Sequence, residues 1–371
     1  MTASQRYNEL LSLAESSKKL DLRQIKTLLT PPDLECEQQL FDAALKLKRK
    51  LFGNLVNLRG LIEFSNICSC DCLYCGIRRS NSKISRYTMS EAEILHSAEL
   101  ASRFGYGAIV LQSGERNDPD FVRQVTGLIR KIGDLPNPPA ITLSCGEQSL
   151  KTYRQWVDAG AKRYLLRVES SSPEIFSAIH PASASLNNRK SALRRLRKAG
   201  FQTGTGVMIG LPGQTLHHLA QDIKFFRDMD VDMIGMGPFL PQQDTPMGNA
   251  ANDPETIQRR FNWSLRMIAV TRLVLKDVNI ASTTALQTLD PENGREKGLL
   301  SGANVIMPNV GNVEYRKDYQ LYNGKPALDE NGDVIRRQLL ESLQRIGEIP
   351  RWNSSGDPLH FIRRTSGDEK I

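Results

Sequence analysis

Leu61-Ile62-Glu63-Phe64-Ser65-Asn66-Ile67-Cys68-Ser69-Cys70-Asp71-Cys72-Leu73-Tyr74-Cys75 is a short apolar run that empties into a loop crowded with thiols. Leu61–Phe64 has the length and composition of a buried strand, and the cysteines lie just past its carboxyl end. Cys68-x3-Cys72-x2-Cys75 puts three thiolates in one loop. Cuboidal iron–sulfur clusters normally take four cysteines, so three would leave one iron open to a small molecule. A structural zinc site wants a second cysteine pair or spaced histidines. Cys36 and Cys145 are single, and His96, His180, His217, His218 and His360 show no ligand spacing. A disulfide framework is a poor match for six cysteines in 371 residues.

Downstream, short apolar strands alternate with longer helical patterns. The strands read as Leu61–Phe64, Ala108–Gln112, Ala140–Ser144, Arg163–Val168, Gln202–Met208, Asp232–Gly235, Asn279–Thr283 and Asn304–Met307. Ser90-Glu-Ala-Glu93 is a capping box that opens one intervening helix, and Gly160 and Gly200 close others. Parallel strands need long crossovers and cover on both faces. The pattern therefore predicts an α/β fold, a (β/α)8 TIM-type barrel with N-terminal helices and a C-terminal helical extension. A doubly wound open sheet is the alternative. The expected segments are 1–56 (helical), 57–325 (barrel) and 326–371 (one amphipathic helix and a polar tail whose last residues, from Thr365, fray). In either architecture ligands gather beyond the carboxyl ends of the strands.

Composition sets outer bounds. The chain is 40% hydrophobic and 24% charged, with a formal charge of +8. Its basic residues are scattered over helices, as in Arg194-Arg195-Leu196-Arg197-Lys198, and its aromatic content is only 6%. A nucleic-acid surface wants basic residues interleaved with aromatics, so no nucleic-acid partner is expected. No stretch reaches the roughly 18 apolar residues of a membrane span, and no apolar signal core opens the chain. Reduced thiols point to the cytoplasm.

Several strand ends carry chemistry. Ser113-Gly114-Glu115 follows the second strand; the glycine permits close backbone approach, and the carboxylate can accept from an ammonium. On the fourth strand, alternation sends Arg163, Leu165 and Arg167 to one face. Arginines in an apolar strand are costly to bury without anionic partners, which suggests clamps for carboxylates. Thr283-Thr284 and Met307 lie at later strand ends, and Tyr315, Tyr319 and Tyr322 could cover a mouth and contribute hydrogen bonds.

The cysteine loop, with Tyr74 before its last thiol, resembles the signature of the radical S-adenosylmethionine (SAM) enzymes, in which Cys70 would be a bystander. Ile62-Glu-Phe-Ser65-Asn66, Cys72-Leu-Tyr-Cys75-Gly76-Ile-Arg78-Arg79, Val110-Leu-Gln-Ser113-Gly114-Glu115, Arg163-Tyr-Leu-Leu-Arg167, Gly210-Leu-Pro-Gly-Gln-Thr215 and Ala303-Asn-Val-Ile-Met-Pro-Asn309 resemble more narrowly the HydE-type maturases of [FeFe]-hydrogenase. That resemblance implies one [4Fe-4S] cluster on Cys68, Cys72 and Cys75, whose open iron chelates SAM. An electron then splits SAM to a 5′-deoxyadenosyl radical. It implies SAM contacts from Ser113, Gly114, Glu115, Glu169 and Arg189. The implied substrate cavity is lined by Thr142, Arg163, Met233, Thr283, Thr284, Met307, Tyr319 and Tyr322, with Arg163 on an amino-acid carboxylate. The implied substrate is a small iron–cysteine complex; an electron donor such as ferredoxin or flavodoxin and other hydrogenase maturases are the implied partners. Val168 stands where the family usually has His, and Arg116-Asn117 where it has Asp-Pro. A paralogue of biotin-synthase or methylornithine-synthase type, with a different small amino-acid-derived substrate, is the alternative.

Overall fold

The computed structural model describes residues 1–16 and 19–367. Eight parallel strands form the barrel wall: Leu55–Ser65, Ala108–Ser113, Ala140–Ser144, Arg163–Leu165, Gln202–Thr205, Met233–Ile234, Asn279–Ile280 and Val305–Ile306. Each pairs with its sequence neighbour, and the eighth pairs with the first through Asn57↔Val305 and Leu58↔Ile306. The seventh and eighth meet at the bridge Ala281↔Val305, where Asn304 donates to the Ile280 carbonyl and Ser282 to the Val305 carbonyl, each at 2.9 Å. The circuit of strands thus closes.

The helices outside the wall follow local chemistry. Ser90 accepts from the Glu93 amide while Glu93 reaches back to the Ser90 amide, the reciprocal cap the sequence predicts. Pro119–Gly133 buries Phe121, Val125, Leu128, Ile129 and Ile132 along one face, the spacing of an amphipathic helix against a sheet. Three N-terminal helices, Ala3–Glu15, Leu22–Leu28 and Leu34–Phe52, pack outside the barrel, the last along Pro254–Leu275. Gly53, at φ 63°, ends that last helix, in a region where glycine carries no Cβ penalty.

The C-terminal segment departs from expectation. After the helix Gly332–Arg345 the chain forms a strand, Ile349–Arg351, which adds parallel to Leu55–Asn57. Residues 352–358 then run beneath the barrel, and the helix Leu359–Ser366 docks through Arg364 on Asp232 and through Arg363 and His360 on Asp277. Thr365 and Ser366 are helical; the residues beyond 367 that the sequence reads as frayed lie outside the described residues. The segment seals the amino-terminal end of the barrel. Gly356 O accepts from Arg59 and from Asn279, the latter at 2.8 Å, and Ser355 O accepts from Arg163 at 2.7 Å.

That seal corrects part of the site reading. Arg163 does lie on the inner face, but at the bottom, fully buried, where it pairs with Asp357 and donates to Gln202 at 2.8 Å. Met233 takes a contact from Arg59 on its sulfur, and Thr142 pairs in register with Arg163. Arg163, Thr142 and Met233 are absent from the wall of the cavity described next. Alternation places a residue on a face; it does not say at which height the returning chain will claim it.

Candidate active site

The first strand ends at Ser65 and releases the cysteine loop, which the rest of the barrel top holds in shape. Arg86 donates to the carbonyls of Asn66 and Ile77 at 2.8 and 2.9 Å and to that of Asn81 at 3.0 Å. Asn66 donates to Ser85 O and Asp318 O at 2.7 and 2.8 Å. Leu73 is held on both sides: its N–H donates to Ile179 O at 3.0 Å and its carbonyl accepts from Met247 at 3.2 Å. Gly76 lies so close to Gln320 that a Cβ there would sit 1.9 Å from its carbonyl oxygen.

Cys68, Cys70, Cys72 and Cys75 all line one cavity of about 1000 Å³. Cys68 Sγ accepts from the backbone N–H of Glu115 at 3.3 Å and of Cys70 at 3.4 Å. The Cys70 thiol beside it and these two amides hold the Cys68 thiol below its ordinary value, against burial. Burial pushes the Cys72 thiol up to about 11 and the Cys75 thiol well above its ordinary value. Loading metal onto these thiols therefore releases protons.

Among the described residues no three His, Cys, Asp or Glu side chains converge on one point as a single metal ion requires. Three thiols in one loop suit a cuboidal cluster, in which each corner iron takes one thiolate. Soft thiolate donors, with amides aimed at one sulfur, fit that group.

The second strand meets this loop through Ser113-Gly114-Glu115. Gly114 donates to Ser65 O at 3.0 Å, and a Cβ on it would lie 2.3 Å from Ile67 O. Glu115 accepts from the Glu147 amide at 3.0 Å. Arg189 crosses from the helix Leu186–Ala199, donates to Glu147 at 2.6 Å and to Arg167 O at 2.8 Å, and lies 3.7 Å from Glu115. Arg167, two layers above Arg163, pairs with Glu169. Acidic and basic side chains thus alternate across the rim beside the thiols.

Thr283, Thr284, Met307, Tyr319 and Tyr322 line the same cavity. Tyr322 Oη donates to Thr284 Oγ1 at 3.1 Å, and Gln112 donates to Tyr319 Oη at 3.3 Å. Two groups escaped the sequence reading. Glu147 sits in the loop after the third strand with no motif around it. Lys325 reaches Glu63 at 2.6 Å across 262 residues, a pairing no local pattern announces; only an acid inside the first apolar strand hinted that Glu63 needs a cation.

The match to protein families agrees with this geometry. Residues 62–226 match the model of the radical SAM superfamily. The [FeFe] hydrogenase maturase subunit HydE of Thermotoga maritima is 40% identical over 343 residues, covering 91% of this chain and 95% of that protein. Among solved structures, methylornithine synthase (PylB) shares the fold with a TM-score of 0.76 at 24% identity, over 93% of this chain and 98% of that one. The maturase HydG from Carboxydothermus hydrogenoformans does so with a TM-score of 0.78 at 21% identity, over 94% and 80%. The family match and the 40% identity to the HydE maturase make the chain a radical SAM enzyme, a class that works with a [4Fe-4S] cluster and SAM. Within that superfamily the chain belongs to the HydE family. Among the described residues no helix is long and apolar enough to cross a membrane.

Proposed function

We propose that this protein is a cytoplasmic maturase of the [FeFe]-hydrogenase cofactor that acts on a small iron–cysteine substrate inside the barrel. Cys68, Cys72 and Cys75 hold the cluster. When bound, the cluster supplies the electron that cleaves SAM. The observation that carries the reading is the shared wall: Cys68 Sγ takes the Glu115 amide at 3.3 Å, and Glu115, Glu169 and Arg189 line the same cavity.

Each rim residue has a task its chemistry suits. Arg189 presents a guanidinium to the SAM carboxylate. Glu115 accepts from the SAM ammonium, and Ser113 and Gly114 let the backbone come close to it. Glu169 accepts from the sugar hydroxyls. Thr283, Thr284, Met307, Tyr319 and Tyr322 line the substrate space, where apolar walls and buried phenols exclude water from a reactive species. A ferredoxin- or flavodoxin-type donor delivers electrons, and other hydrogenase maturases take the product.

Anaerobically reconstituted protein should release 5′-deoxyadenosine with reductant and SAM, and co-expression should raise hydrogenase activity. Cleavage of SAM without any gain in hydrogenase activity would instead assign a different small amino-acid-derived substrate.

A further inference from the structure

We propose that Asp222, on the outer helix Leu216–Asp228, is a positioning residue for the SAM pocket. It grips Ser171, and through Ser171 it sets both the turn at Glu169 and the helix Pro173–Ile179 that braces the cysteine loop. The inference rests on the reading of Glu169 as a SAM contact.

Glu169 is not glycine, yet its φ is 61°. Left-handed backbone is unfavourable for a residue with a Cβ, so the chain on either side must hold it there. Upstream, the Glu169 amide donates to Gly206 O at 3.0 Å. Downstream, Asp222 Oδ1 accepts both the Ser171 N–H at 2.7 Å and its hydroxyl at 2.6 Å, while Lys190 donates to Ser171 O at 3.3 Å. All the polar groups of Ser171 are therefore tied to the outer helices. The next residue, Ser172, caps Pro173–Ile179. The far end of that helix accepts the Leu73 N–H at Ile179 O, 3.0 Å, and the His180 ring that follows meets the Tyr74 ring edge-on at 5.6 Å. One carboxylate thus stands two contacts from the SAM rim and three from the thiol loop.

Stability alone does not account for an acid here. Asp222 is wholly buried, and its Oδ2 has no hydrogen-bond partner among the described residues. An asparagine would accept the same two bonds without a buried charge to desolvate. Burial raises the Asp222 carboxyl to about 7, so it changes charge in the neutral range. The charged groups that bear on it are Lys190 from the neighbouring helix and Glu169. Ionised, it accepts the Ser171 bonds as charge-assisted ones, which are stronger.

The test measures SAM affinity of the cluster-loaded protein and hydrogen exchange over residues 170–180 of the cluster-free protein. Asp222→Ala should weaken SAM binding about tenfold, the worth of one charge-assisted hydrogen bond, and speed exchange over that segment. Native protein should gain SAM affinity from about pH 6 to about pH 8, and Asp222→Asn should keep the protection without that gain. Should Asp222→Ala not fold, Ser171→Ala, which deletes only the hydroxyl bond, should shift both readouts the same way by about two- to fivefold. Unchanged affinity and exchange in these variants, with Glu169→Gln weakening SAM, would overturn the positioning role while sparing the pocket. A native pH profile as flat as that of Asp222→Asn would also overturn it. A silent Glu169→Gln would overturn the Glu169 contact and this inference together.

Discussion

Arg167 and Glu169 form a two-point pair at the end of the fourth strand, Nε to Oε1 at 2.8 Å and Nη2 to Oε2 at 2.9 Å. Arg167 also donates to Gly235 O and Val207 O at 2.9 Å, so it is a fixed post against which the carboxylate is aimed. Arg167→Met should leave Glu169 free to turn out of this aim. SAM affinity should fall at least about tenfold with the iron content unchanged, as read by equilibrium dialysis and iron assay.

Gly114 is where the second strand passes the cysteine loop. A methyl there would meet Ile67 O at 2.3 Å and Cys68 Cβ at 2.7 Å. Backbone cannot yield as a flexible side chain does, so Gly114→Ala should push Cys68 out of place. Circular dichroism should still report a folded barrel, while bound iron falls from about four per chain towards half or less.

Lys48 and Glu348 meet at 2.6 Å with neither side chain exposed, tying the helix Leu34–Phe52 to the residue before the added strand. Burial already lowers the Lys48 ammonium to about 8. Glu348→Leu alone should cost about 3–5 kcal/mol because it strands a buried charge. Lys48→Met with Glu348→Leu should recover most of that loss. Urea midpoints of the two variants check this.

The Asp222 carboxyl also gives stability a pH dependence. Its folded value, about 7, lies above its ordinary 3.8, so the folded chain binds a proton the unfolded chain has released. The stability this contributes is whole below the unfolded value and is lost as pH rises through the folded one. The urea midpoint of cluster-free native protein should therefore drop between about pH 5.5 and about pH 8 more steeply than that of Asp222→Asn.

The barrel was legible because most of its strands are short apolar runs, and several lead into a helix with its own side-chain cap. Ala140–Ser144 matches residue for residue. Strand ends were less so: Gln202–Met208 reads as one strand but breaks at Thr205, and Met208–Ile209 pairs instead with Gly237–Pro238. The strand Ile349–Arg351 was hidden, since a proline and an arginine at its core mask any alternation. That the cysteines, Glu115, Glu169, Arg189 and the upper cavity residues share one cavity was legible from spacing and motif resemblance. Arg163 was misplaced because its partner, Asp357, arrives from 194 residues away. Asp222 was invisible for the same reason: in sequence it is one more polar position on an outer helix.

The account turns on a cluster held by Cys68, Cys72 and Cys75 beside the rim that binds SAM. The most direct measurement is 5′-deoxyadenosine release by anaerobically reconstituted native, Cys70→Ala and Cys72→Ala proteins, with iron counted in each. Native and Cys70→Ala should hold about four irons and form the product, and Cys72→Ala should do neither. A native protein that carries its full cluster and binds SAM yet releases no 5′-deoxyadenosine under strong reductant would contradict it.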